Sequence, residues 1–115
     1  MKLVDNTLYY IHDPMCSWCW AFRPTWLKVL SALPSYLNVS YLLGGLAPDS
    51  NLTMPLETQE YVQDNWIQIQ KVVPGTEFNY DFWTLNKPRR STYLSCRAVI
   101  SAKKQHPNFE ILMTE

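Results

Sequence analysis

The sequence predicts an α/β fold that opens as a strand–helix–strand unit and continues as helices. Three observations lead there. A short apolar run, TLYYIH (residues 7 to 12), is followed by apolar residues at helical spacing and then by a second apolar run, NVSYLLGG (38 to 45). Beyond a polar loop, the remaining apolar residues recur mainly at helical spacing.

The first run is aromatic-rich and nearly continuous, the pattern of a strand buried on both faces of a parallel sheet. DPM then turns the chain, and a helix begins at the cysteines. Phe22, Trp26, Val29, Leu30 and Leu33 fall on one helical face until Pro34 stops it. Pro24 lies inside this helix, where it removes one backbone donor and favours a kink. NVSYLLGG is the second strand, so the unit reads as a right-handed parallel βαβ. LAPDSNLTMP (46 to 55) is loop.

In the second half, Val62, Trp66, Ile69 and Val73 mark a helix that ends at Pro74-Gly75. TEFNYDFWTLNKPRR (76 to 90) reads as an irregular connection. Thr92 to Gln105 reads as a further helix, with Cys96, Val99 and Ile100 on one side and Arg97, Ser101 and Lys104 on the other. Asn108 is placed to cap a last helix carrying Ile111 and Leu112. Two strands do not make an independently stable sheet, so the chain reads as the front part of a larger protein.

The 115 residues suffice for one modest core, and nearly half of them are apolar. Ten basic and ten acidic residues balance without blocks of like charge, which argues against a nucleic-acid or anionic-membrane partner. MKLVDNTLYYIHD lacks the pattern of a secretory signal, and no apolar stretch is long enough to span a bilayer. The expected compartment is the cytosol, or the periplasm if a leader has been removed. Three cysteines are too few for a disulfide scaffold.

Two of those cysteines lie in DPMCSWCWAF (13 to 22), a C-x-x-C that follows a buried strand and opens a helix. At a helix start, unpaired N–H groups and the helix dipole favour a thiolate. Cys16 is therefore the expected nucleophile, and Cys19, one turn further in, the resolving thiol. Ser17-Trp18 puts no histidine beside Cys16, consistent with an intermediate redox potential. A zinc site is the weaker reading, because there is no second cysteine pair and His12 and His106 are far apart in sequence. Burial of both cysteines as small hydrophobes is a third reading, against which the helix start argues.

DPMCSWCWAFRP after LYYIH resembles the DsbA family of thioredoxin-fold oxidoreductases, in the branch of predicted protein-disulfide isomerases and FrnE-like proteins. The resemblance implies a thioredoxin-like βαβ unit over residues 1–52 and an incomplete helical insert over 53–115. It matches Pro24 to the proline of the active-site helix, and STYLSCRAVISAKK to a helix of the insert. It also implies that the ββα half of the fold, with its cis-proline loop, is absent from this chain. The implied activity is thiol–disulfide exchange on protein or peptide substrates, with the redox-active disulfide and no other cofactor. The alternative is a catalytically weak fragment serving as a binding or self-association module, since the strand at 7 to 12 would have an open edge for a second copy.

Other residues carry two readings each. His12 is a proton shuttle or a partly buried strand-end group. Asp13 assists proton transfer from Cys19 or starts the turn with Pro14. Trp18 offers an apolar surface to substrates, whereas Trp20 is expected to pack. Cys96 is expected in the core, the sharper idea being a thiol that pairs with another chain. Arg89 and Arg90 form a solvated helix entrance or contact an acidic partner.

Overall fold

The computed structural model describes residues 6–114; residues 1–5 and 115, and the side chains of residues 112–114 with Leu112 among them, lie outside the described residues. The elements run β1 (Thr7–His12), α1 (Ser17–Ala32), β2 (Asn38–Leu43), α2 (Leu56–Val72), α3 (Phe82–Leu85), α4 (Tyr93–Gln105) and α5 (Phe109–Thr114). β1 and β2 pair in parallel, in a register running from Thr7 opposite Asn38 to His12 opposite Leu43. The predicted βαβ unit is present, with β1 spanning the predicted residues.

One face of this sheet is built from aromatic rings. Strand periodicity puts Tyr10 and His12 on the same side of β1. Trp26 of α1 stacks on Tyr10 with ring centroids 4.1 Å apart, and its Nε1 donates to the Tyr41 hydroxyl at 3.3 Å. Burial on both faces is overturned for β1. Only β2 pairs with it among the described residues, and Ile11, which points to the opposite face, is 65% exposed. Phe22 also departs from its predicted place. Ala21 and Trp26 are the buried residues of α1, and Phe22 sits at the margin of the Tyr10 stack, 42% exposed.

The helical half has its own core. Ile69 of α2 is fully buried, and Cys96, Val99 and Ala102 are the buried residues of α4. These three repeat every third residue, so Ile100, expected beside Cys96 and Val99, turns outward and is 43% exposed. Trp66 of α2 stacks on Phe78 at 4.6 Å and meets Trp83 at 5.2 Å. That cluster explains α3, a single turn within the stretch read as irregular. Asn79 Oδ1 accepts the Asp81 N–H at 3.1 Å to start it, and the packing of Trp83 on Trp66 holds it.

Two links fasten the helices to the sheet's exit. β2 stops at Leu43, directly before the Gly44-Gly45 pair that ends the predicted run, because the chain turns there. Gly45 has φ +64°, and a Cβ on it would lie 3.0 Å from the Tyr93 ring, so glycine is favoured on both counts. Immediately beyond, Thr92 N–H donates to the Ala47 carbonyl at 2.9 Å, while Ala47 N–H donates to Thr92 Oγ1 at 3.2 Å. Further out, Arg97 makes a two-pronged contact with Asp49 at 2.8 and 2.9 Å. Lys103 reaches the buried Glu110 at 3.3 Å, joining α4 to α5. The proposed boundary at 52/53 falls in the loop between β2 and α2.

Candidate active site

The site is assembled at the turn between β1 and α1. Cys16 N–H donates to the Asp13 carbonyl at 3.1 Å, closing a turn with Pro14 at its second position. Cys16 is the residue that caps α1, in an extended conformation, and its carbonyl accepts the Trp20 N–H at 3.1 Å. No side-chain hydrogen bond caps this helix, so its first amides stay open beside Cys16. Ser17, the first helical residue, is held from the other half of the chain by Trp66, whose Nε1 donates to Ser17 Oγ at 2.6 Å.

The two thiols are half-buried, and their electrostatics are opposite. The Cys16 pKa falls to about 6, chiefly because the Cys19 thiol donates to its sulfur. Desolvation opposes this, as does the charge of Asp13, while the N–H groups of Cys19 and Trp18 add to the lowering. These donors are the orphan amides of the first helical turn. Cys19 is pushed far above the usual thiol range, first by that same hydrogen bond to Cys16 and then by burial. One thiol is poised to be charged and the other to keep its proton.

Asp13 is the structural knot beneath them. It is 2% exposed, yet one oxygen accepts the Met15 N–H at 2.8 Å. The other accepts the Leu46 N–H at 3.0 Å and faces the Cys96 thiol at 3.5 Å. Burial raises the Asp13 pKa, but hydrogen bonds from Leu46, Thr92, Met15 and Cys96 outweigh it and hold the carboxyl below its usual range. Asp13 thus joins the β1–α1 turn, the loop after β2 and the start of α4. The Cys96 thiol is pushed up, first by burial and then by the Asp13 charge.

Each thiol opens onto a different cavity. Cys16 lines a cleft of about 360 Å³ with Ser17, Trp18, Trp66, Arg89 and Arg90 among its walls. Cys19 lines a cavity of about 200 Å³ with Tyr10, His12, Asp13, Trp20 and Trp26. The structure therefore brings Trp18 together with Cys16, but places His12 with Cys19. His12 is buried against Tyr10 and Tyr41, with Nε2 lacking a hydrogen-bond partner among the described residues. Burial, partly opposed by Glu110 and Asp13, lowers its pKa, so it is neutral at pH 7. Trp20 does not pack inside as expected. It is 48% exposed and donates through Nε1 to the Glu77 carbonyl at 3.3 Å. Pro24 lies within α1, as read.

Sequence reasoning missed Trp66 and Thr92 as parts of the site. Trp66 was legible only as a core position of a helix, and no local signal marks an indole that reaches 49 residues back to Ser17. Among the described residues, no group of three or more His, Cys, Asp or Glu is placed to hold a metal ion, and no helix is long and apolar enough to cross a membrane.

No protein-family model matches the chain. It is 27% identical over 104 residues to the ClpXP adapter protein SpxH of Halalkalibacterium halodurans, covering 87% of this chain and 33% of that protein. A candidate protein disulfide isomerase from Nitrosomonas europaea superposes with a TM-score of 0.76 at 26% identity, over 94% of this chain and 51% of that one. The cytosolic disulfide reductase DsbM of Pseudomonas aeruginosa superposes with a TM-score of 0.68 at 22% identity, over 94% and 51% of the two chains. DsbM solved with GSH gives the same TM-score at 20% identity. The chain thus spans about half the length of these solved structures and a third of that of SpxH. With its parallel βαβ unit, its helix opening on Cys16 and these neighbours, the chain has the fold of a DsbA-like, thioredoxin-fold fragment.

Proposed function

We propose that the protein is a thiol–disulfide oxidoreductase acting on protein or peptide disulfides through Cys16 and Cys19. The observation that carries this reading is the asymmetry of the pair. Cys16 caps α1 with its pKa lowered to about 6, while Cys19 stays protonated beside it. The Cys16 thiolate attacks a substrate disulfide, one substrate thiolate leaves, and a mixed disulfide forms. Cys19 then loses its proton and attacks the Cys16 sulfur. The second substrate thiolate leaves, and Cys16–Cys19 becomes the disulfide. Two electrons pass to the substrate, and its two sulfurs leave as thiolates that take up protons from solvent. We assign the Cys19 proton to His12, whose neutral ring shares a cavity wall with Cys19. Asp13 is the poorer acceptor, since its carboxylate is already engaged by four donors. No metal or organic cofactor enters these steps.

The test is stoichiometric. The fully reduced protein, mixed with a fluorogenic peptide disulfide, should consume one equivalent and yield a Cys16–Cys19 disulfide by peptide mass. Consumption without that disulfide, or with Cys96 in its place, contradicts the reading.

A second reading, a self-association module, is favoured by one observation. β1 has a single partner strand among the described residues, and Ile11 beside its free edge is exposed. Unpaired edges recruit other strands. Light scattering should then show a concentration-dependent dimer; a monomer throughout the micromolar to millimolar range rejects it.

A further inference from the structure

The cleft in front of Cys16 has a charge character that the protein as a whole lacks. The chain balances ten basic against ten acidic residues. The cleft does not. Its walls contain Arg89 and Arg90 and not one aspartate or glutamate. The rest of the lining is largely apolar and aromatic, with Trp18, Tyr61, Trp66 and Phe82 contributing, and its polar members, such as Asn65 and Ser91, are uncharged.

The backbone at the arginines is anchored, while both side chains are exposed. Thr53 and Arg89 form an antiparallel bridge, and the Met54 N–H donates to the Pro88 carbonyl at 2.8 Å. The backbone that carries both guanidinium groups is thereby anchored to the loop leading into α2. Among the described residues neither arginine has an ion-pair partner, in contrast to Arg97, which is engaged by Asp49. Guanidinium groups that line a cleft without a carboxylate are suited to accept one from a ligand. The aromatic floor suits an apolar neighbour of the reacting cysteine.

We propose that this cleft selects its substrate: a disulfide-bearing peptide segment with aspartate or glutamate near the cysteine, read by Arg89 and Arg90. This inference rests on the reductase reading of Cys16 and adds the substrate class. The redox step is the one given above, with two electrons passing from the reduced Cys16–Cys19 pair to the substrate disulfide. The arginines take no part in bond making. They raise the encounter rate and orient the segment.

The experiment is a single-turnover reaction of the fully reduced protein with three peptide disulfides of equal length. They differ only in having Glu, Gln or Lys beside the cysteine. At low salt the Glu peptide should be reduced about fivefold to tenfold faster than the Gln peptide, the scale expected for two exposed charge pairs, with the Lys peptide slowest. The ratio should shrink to within about twofold near 1 M salt, where the Debye length is roughly 3 Å. The double variant Arg89→Gln/Arg90→Gln should abolish the preference even at low salt. Lys28→Gln, outside the cleft, should retain it. Equal rates for the three peptides, each yielding the Cys16–Cys19 disulfide, overturn the inference and leave the reductase reading intact. A preference that persists in the double variant also overturns it. Reduction of none of the peptides overturns both.

Discussion

Replacing Cys16 by serine should abolish peptide-disulfide reduction, a loss of roughly a thousandfold or more, because a hydroxyl near neutral pH cannot replace a thiolate nucleophile. Replacing Cys19 by serine should have a different consequence. Cys16 would still attack, the resolving sulfur would be gone, and the mixed disulfide with the substrate should accumulate and be visible by intact mass. His12→Gln should produce the same adduct transiently, since only proton removal from Cys19 is slowed, by about tenfold to a hundredfold. The proposed order of events is consistent with the two cavities, Cys16 lining the larger cleft and Cys19 the smaller one that His12 shares. Release of substrate by Cys19→Ser at the wild-type rate would refute the assigned roles.

Asp13→Ala should lower stability by about 2–4 kcal/mol, read as a fall in the urea midpoint. The cost arises because removing a buried acceptor leaves its donors without partners. The Met15 and Leu46 amides lose their acceptor, and Thr92 and Cys96 lose theirs. Asp13→Asn should cost less, since one carbonyl oxygen remains to accept. Both changes remove a charge that raises the Cys16 pKa, so the Cys16 thiol should become more acidic in either variant. The pH dependence has a definite sign. An unfolded aspartate titrates near pH 3.9, and the folded carboxyl lies lower. Its stabilisation is therefore complete above about pH 4 and is lost as the pH falls through the folded value. Asp13→Asn should lack this acid-sensitive part of the stability curve. A variant as stable as wild type at pH 7 would show that the carboxylate is not the knot described.

The sequence was informative wherever a local rule decides the structure. β1 carries an apolar run between polar neighbours, and α1 begins at the cysteines and stops before Pro34, so both could be placed nearly to the residue. The cysteine pair was visible as a motif for the same reason, because the groups that lower the Cys16 pKa, the Cys19 thiol first and then the amides of Cys19 and Trp18, lie within three residues of it. Long-range contacts were not legible. Whether β1 is covered on one face or two depends on what packs against Ile11, and nothing in TLYYIH encodes that. The same holds for Trp20, whose partner is the carbonyl of Glu77, 57 residues away. Asp13 read correctly as a turn residue through its bond to Met15. Its ties to Leu46, Thr92 and Cys96 required the fold. α3 escaped because one turn of helix held by Trp66 leaves no periodicity to detect.

The acidity of Cys16 is the most direct point of test, measured as the alkylation rate of each cysteine against pH and resolved by peptide mass. Cys16 should react with a midpoint near pH 6, whereas Cys19 and Cys96 should stay slow beyond the range of an ordinary thiol, near pH 8.5. That separation would establish that the start of α1 stabilises a thiolate in this chain. A midpoint for Cys16 near pH 8.5, with all three thiols titrating together, would contradict the assignment of Cys16 as an activated nucleophile.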